Sequence, residues 1–313
     1  MALQTFPTRF FRPSRRKDGT GRWNFASGLR LRGPLPRTGN DLAGMAEPPA
    51  GLHPTLLGEL VVEVLGSLVI AVFGFGVVAQ VVVSKGVLGG HDSIAWAWGL
   101  AVMLGVLVAG KISGAHLNPA VTLTVAIFKG FPWRKVVPYV IAQFIGWFIG
   151  ALIIRFNYSS SIAALDPHHT LATQGIFSTL PGNGNSALGV TMGDAFWDQV
   201  IGTAALLFLI FAITDPLGSN PHPALSAFLV GLIIVAIGFA MGTNAGYAIN
   251  PARDFAPRLM EFMTGYQGAW RDQHGDLYFW VPIVGPLIGG VVGGGLYELT
   301  VGRALPRPEG LSS

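Results

Sequence analysis

The sequence predicts an all-α membrane protein, with six transmembrane helices and two re-entrant half-helices arranged as an inverted repeat. Three observations predict it. Only 12% of residues are charged, against roughly a quarter in soluble domains. Long runs contain no Lys, Arg, Asp or Glu, and several approach or exceed the roughly 20 residues that cross a bilayer. The tripeptide Asn-Pro-Ala also occurs twice, at Asn118-Pro119-Ala120 and Asn250-Pro251-Ala252, each time in a Gly-rich apolar setting.

The elements follow in order. Residues 1–50 carry Arg9, Arg12, Arg15, Arg16, Lys17, Arg22, Arg30, Arg32 and Arg37 among Pro, Gly and Ser. That composition predicts a disordered basic tail. No apolar stretch follows the cluster directly, which argues against a cleaved signal peptide. Translation from Met45 is an alternative start. The membrane-embedded part spans 51–303, and 304–313 form a second tail. Six spans are drawn at about 56–82, 93–109, 136–154, 196–213, 225–241 and 279–301. The Asn-Pro-Ala copies follow the second and fifth spans. Apolar stretches too short to cross the bilayer come after them, at 121–128 and 255–263.

Each copy starts a helix. Asn is a favoured N-cap, and Pro suits the first helical position, where no N–H is needed. The layout is therefore three spans and one half-helix, repeated over about 56–155 and 194–303. An odd number of spans per repeat inverts the second copy in the membrane. The half-helices then enter from opposite sides and meet N-terminus to N-terminus near the midplane, where transport proteins place their sites. Matching segments support the repeat: Glu63-Val64-Leu65-Gly66-Ser67 in the first span and Gln199-Val200-Ile201-Gly202-Thr203 in the fourth.

Lys and Arg placement sets the orientation. The basic tail, Lys129, Arg134, Lys135, Arg303 and Arg307 fall on one side. The connection 156–193 has neither residue, and Arg271 departs mildly. Positive-inside reasoning puts both termini in the cytoplasm of a multi-pass protein of the cell (plasma) membrane. Cysteine is absent, which excludes disulfides, thiolate nucleophiles and Cys-based metal sites. The net charge of +4 lies largely in the first forty residues and does not read as a nucleic-acid surface. His168-His169 reads as solvated loop, since no third ligand accompanies the pair. No cofactor is expected.

Two segments carry a resemblance: Ser113-Gly114-Ala115-His116-Leu117-Asn118-Pro119-Ala120-Val121-Thr122, and Asn250-Pro251-Ala252-Arg253-Asp254. On these residues the chain resembles the major intrinsic protein family, the aquaporins, over about 56–303. The resemblance implies an hourglass channel in each subunit and a homotetramer. It implies a constriction at Arg253 with three partners, placed by spacing at Trp98, Gly238 and Tyr247. Gly238, Tyr247, Asp254, Arg258 and Pro282-Ile283 look like the glycerol-facilitator branch, although Tyr247 stands where Phe is more usual. Gln199 stands where some relatives carry Glu, so Glu63 lacks an identical counterpart.

The chemistry expected of these residues is specific. A buried polar group left unpaired costs about 1–3 kcal/mol, so each hydroxyl of a passing polyol needs a partner. Arg253 supplies fixed donors, and carbonyls of 114–117 and 246–249 supply acceptors. Trp98 and Tyr247 offer apolar walls, while Gly238 leaves the third side open. Asn118 and Asn250 each cap a half-helix and offer an amide donor to the lumen. Opposed helix N-termini and an Arg exclude protons and cations, as in aquaporin-type pores. Glu63 accepts hydrogen bonds from backbone N–H groups of the first re-entrant loop, and His116 braces that loop.

The expected function is a passive channel for glycerol and other small neutral solutes, with some water. A water-selective channel of the same family is the first alternative. An ion- or proton-coupled secondary transporter is the second, although Glu63 alone would serve as its midplane titratable group. A membrane enzyme ranks third, for lack of a catalytic constellation.

Overall fold

The computed structural model describes residues 54–219 and 221–306. The basic tail, Met45 and Arg307 lie outside the described residues. The described residues fold into helices joined by loops, with a single isolated bridge between Arg271 and Leu277. Six helices are long and apolar enough to cross a membrane. They are α1 (Leu56–Val83), α2 (His91–Ser113), α4 (Trp133–Asn157), α7 (Met192–Thr214), α8 (Pro223–Ala245) and α10 (Val281–Leu299), the last continuing into the short α11 (Val301–Ala304). Between them sit two shorter helices that start on the Asn-Pro-Ala motifs, α3 (Pro119–Phe128) and α9 (Pro251–Met263).

Most observed helices run a few residues beyond the sequence expectation at one or both ends. The second expected span, for example, stops at 109, whereas α2 continues to Ser113 and ends on the left-handed Gly114. The long connection after α4 is also more structured than expected. It holds α5 (Ser159–Leu165), α6 (Leu171–Gln174) and two 3₁₀ turns, Pro181–Gly184 and Ser186–Leu188. Asp166 Oδ2 organises part of it by accepting from the Thr170 N–H at 2.7 Å and the Thr173 hydroxyl at 2.8 Å. His169 is not a purely solvated loop residue. Its Nε2 accepts from Arg155 at 2.7 Å, and its ring lies 4.9 Å from that of Tyr266.

Small residues let the spans approach closely, as helix packing in lipid requires. A Cβ built on Gly146 would lie 2.7 Å from Ser67 Cβ, and one on Gly289 would lie 3.0 Å from Thr203 Cβ. The α1–α4 and α7–α10 contacts therefore repeat one another in register. Where α2 crosses α8, a Cβ on Gly99 would meet the Gly231 carbonyl at 2.6 Å, and one on Gly231 would meet the Gly99 carbonyl at 2.7 Å. The half-helices pack across the repeats, α3 against α10 and α9 against α4. Each short helix is thus held by a full-length span of the opposite repeat. That packing fixes where its N-terminus points.

Candidate functional site

The chain leaves α2 and α8 in the same way. Both helices end on a left-handed Gly, Gly114 at φ +86° and Gly246 at φ +59°. Both then pass through non-Gly residues at positive φ: Ala115 and Leu117 in one repeat, Tyr247 and Ile249 in the other. Such conformations cost about 1–3 kcal/mol each and persist only when the surroundings impose them. Here one side chain from the first helix of each repeat imposes them. Glu63 accepts from the backbone N–H of His116 at 2.9 Å and of Leu117 at 2.8 Å. It also accepts from the Ser113 hydroxyl at 2.6 Å and Gln143 Nε2 at 2.8 Å. Gln199 accepts from the Ile249 N–H at 2.8 Å and donates Nε2–H to the Ala245 carbonyl at 3.0 Å. An amide has one acceptor oxygen where a carboxylate has two, so Gln199 receives one backbone N–H where Glu63 receives two.

The two Asn residues then cap their helices. Asn118 Oδ1 accepts from the Ala120 N–H at 2.8 Å. Asn250 Oδ1 accepts from the N–H groups of Ala252 and Arg253 at 3.0 and 3.2 Å. Their amide nitrogens cross between the repeats. Asn118 Nδ2 donates to the Ile249 carbonyl at 2.8 Å, and Asn250 Nδ2 donates to the Leu117 carbonyl at 3.0 Å. Each amide keeps a second N–H for a further partner. The N-termini of α3 and α9 therefore face one another, and their partial positive charges add.

Arg253 occupies the third position of α9, where the helix dipole disfavours a cation. Its surroundings compensate. Nη1 donates to the Phe177 carbonyl at 2.7 Å. The guanidinium carbon sits 4.5 Å from the ring centroid of Trp98 and 5.0 Å from that of Phe75, both within cation–π range. Gly74 leaves room for the indole, since a Cβ there would collide with Trp98.

Gly238 differs from expectation. The space it vacates is filled by Tyr247, whose Cζ and hydroxyl oxygen would lie 3.1 and 3.2 Å from a Cβ at this position. The glycine makes room for the tyrosine ring, and only through it for a solute. The Tyr247 hydroxyl is buried without a hydrogen-bond partner among the described residues.

A cavity of about 610 Å³ joins these groups. Trp98, Tyr247, Arg253, both Asn residues, Lys111, Lys129 and Thr214 all line it, with Lys111 towards the opposite end of α2 from Trp98 and Lys129 at the opposite end of α3 from Asn118. The sequence-placed residues Trp98, Asn118, Tyr247, Asn250 and Arg253 thus share one lumen.

The model of the major intrinsic protein family matches residues 52–297. The chain belongs to that family. A probable aquaglyceroporin-2 of Gibberella zeae is 43% identical over 248 residues, covering 76% of this chain and 71% of the relative. Human aquaporin-9 is 37% identical over 263 residues, covering 82% and 87%. Among solved structures, the aquaglyceroporin from Plasmodium falciparum matches with a TM-score of 0.71 at 30% identity, over 79% of this chain and 97% of that one. The chain is accordingly a multi-pass membrane protein of a channel family.

Of the remaining expected residues of this family member, Asp254 and Arg258 lie behind the cavity lining and His116 is part of it. Asp254 pairs with Arg258 Nε at 2.5 Å, and both side chains are fully buried. Asp254 Oδ2 also accepts from the Thr179 N–H and hydroxyl at 2.8 and 2.7 Å, while Arg258 donates to the carbonyls of Thr179 and Ala269. The pair anchors the segment that carries the Phe177 carbonyl. His116 presents Nδ1 to the Thr122 hydroxyl at 3.1 Å and lines the cavity.

Four residues escaped the sequence reading. Phe75 and Gly74 lie in an apolar helix with nothing local to distinguish them. Phe177 gives Arg253 a backbone carbonyl, and its ring packs on Phe75 with centroids 5.9 Å apart. Trp147, in α4, stacks on Trp98 with centroids 6.1 Å apart. Its Nε1–H donates to the Leu117 carbonyl at 3.2 Å. An indole N–H buried in an apolar span demands an acceptor, which was the available signal.

Proposed function

We propose that the protein is a passive channel for glycerol and similar small neutral solutes, with accompanying water flux. The carrying observation is the pairing of Arg253 with Trp98 and Tyr247 at one end of a cavity whose middle is set by the reciprocal Asn118 and Asn250 bonds. Guanidinium donors and flat apolar rings share a slot at one end of the lumen. A linear polyol carries hydroxyls on one edge and carbon-bound hydrogens on the other, which matches that slot. The buried guanidinium and the opposed helix N-termini oppose cations, so the lumen suits neutral molecules. The names of the relatives, aquaglyceroporins among them, support the same reading.

Trp98, Tyr247 and Arg253 form the selectivity constriction in this reading, with Gly238 behind the Tyr247 ring. Glu63, His116, Gln199 and Asp254 are its scaffold. The protein assembles as a homotetramer in the plasma membrane, with both termini and the basic tail in the cytoplasm, and works without energy coupling. The Lys129 end of the lumen then faces the cytoplasm.

Swelling of reconstituted vesicles in an inward glycerol gradient tests the proposal. Glycerol and urea flux independent of proton or sodium gradients is expected. Water flux without glycerol flux would assign the chain to a water-selective channel instead, and gradient-dependent uptake would make it a transporter.

A further inference from the structure

The two repeats also differ at matching positions of α4 and α10. The Gly146–Ser67 and Gly289–Thr203 contacts set the register between α4 and α10. One residue further along, α4 carries Trp147 and α10 carries Gly290. No side chain fits at Gly290, because a Cβ there would lie 2.6 Å from the Thr124 hydroxyl. Trp147 has no counterpart, and its effect falls on the pore centre.

The Leu117 carbonyl takes two hydrogen bonds, from Asn250 Nδ2 at 3.0 Å and from Trp147 Nε1 at 3.2 Å. A carbonyl oxygen has two lone pairs, so both are used. The Ile249 carbonyl, its partner in the other repeat, takes one bond, from Asn118. It keeps an acceptor site. Trp147 also continues the aromatic wall that begins at Trp98, with Phe75 at its edge 5.7 Å away.

We propose that Trp147 is a specificity-determining residue that selects against longer polyols at the level of the two Asn residues. The inference rests on the channel reading above. A linear polyol of four or five carbons has the same cross-section as glycerol, so the Arg253 constriction cannot reject it on width. Its extra hydroxyls need acceptors at more than one level of the lumen. Trp147 removes one of them, at Leu117, and puts an apolar ring beside the gap. A three-carbon polyol spans the gap with its hydroxyls on Ile249 and the neighbouring carbonyls, whereas a longer one leaves a hydroxyl unpaired.

The test is stopped-flow permeability of reconstituted vesicles to water, glycerol and linear four- and five-carbon polyols, for wild type, Trp147→Phe and Trp147→Ala. Trp147→Phe keeps a ring and frees the Leu117 lone pair. It should raise the five-carbon to glycerol permeability ratio by about fivefold, the factor one ordinary hydrogen bond is worth. Trp147→Ala should raise it at least as far. A ratio does not respond to a lower number of folded channels, so a merely structural role would leave it unmoved. Unchanged ratios beside normal wild-type glycerol flux would overturn this inference and leave the channel reading standing. A wild type that passes no glycerol would overturn both. If Trp147→Ala does not fold, the Trp147→Phe ratio decides.

Discussion

Arg253 donates Nη1–H to the carbonyl of Phe177 across 76 residues of sequence, at 2.7 Å. That one bond ties the constriction to the long connection after α4. The connection in turn depends on Asp254 and Arg258, which grip Thr179 two residues further on. The orientation of the guanidinium is therefore set by a buried ion pair that does not itself line the lumen.

Asp254→Ala should accordingly disable the channel by destabilising it. Removing one partner of a buried pair strands the other charge, at a cost of about 3–5 kcal/mol. Arg258 would keep its carbonyl acceptors and lose its counter-charge, and Thr179 would lose its anchor. A thermal melt of the purified protein should fall by many degrees. An unaltered melting temperature would show that the pair contributes nothing to the fold.

Gly238→Ala should narrow the lumen from behind. The new methyl would lie 3.0 Å from Ala95 Cβ and 3.1 Å from the Tyr247 ring. Ala95 is fixed in a helix, so the tyrosine ring must yield toward the lumen. Glycerol permeability should drop by more than water permeability, measured on the same vesicles. An equal drop in both would place Tyr247 away from the solute path.

Tyr247→Phe should leave glycerol passage within about twofold of wild type and hold or raise the melting temperature, because a buried hydroxyl without a partner costs about 1–3 kcal/mol. The hydroxyl packs toward Gly238, and the solute meets the ring. A large fall in glycerol passage would mean that the hydroxyl turns into the lumen when solute is present.

Glu63 and Gln199 should not exchange freely. Glu63→Gln puts an NH₂ group where backbone donors arrive, and Gln199→Glu aims a carboxylate at the Ala245 carbonyl. Each variant should melt lower than wild type, by about 1–3 kcal/mol of lost stability. A Gln199→Glu protein as stable as wild type would show that the second re-entrant segment accepts either group.

The sequence alone determined the number of spans, the existence of two half-helices and the inverted repeat. The causes are local. Apolar length decides whether a segment crosses lipid, and Asn-Pro-Ala decides where a helix starts. Asn118 and Asn250 were legible in the motifs themselves, Trp98, Tyr247 and Arg253 through the family resemblance that places them at fixed spacing from those motifs, and Glu63 as a buried acid needing donors. What the tertiary structure decided is how groups far apart in sequence share acceptors. Trp147 and Asn250 meet on one carbonyl, Gly238 yields its space to Tyr247, and Phe177 contributes a backbone oxygen that any residue type could supply. Which main-chain atom a buried donor or acceptor finds, and which neighbour takes a glycine's space, are set by chain segments distant in sequence, so only the packed helices reveal them.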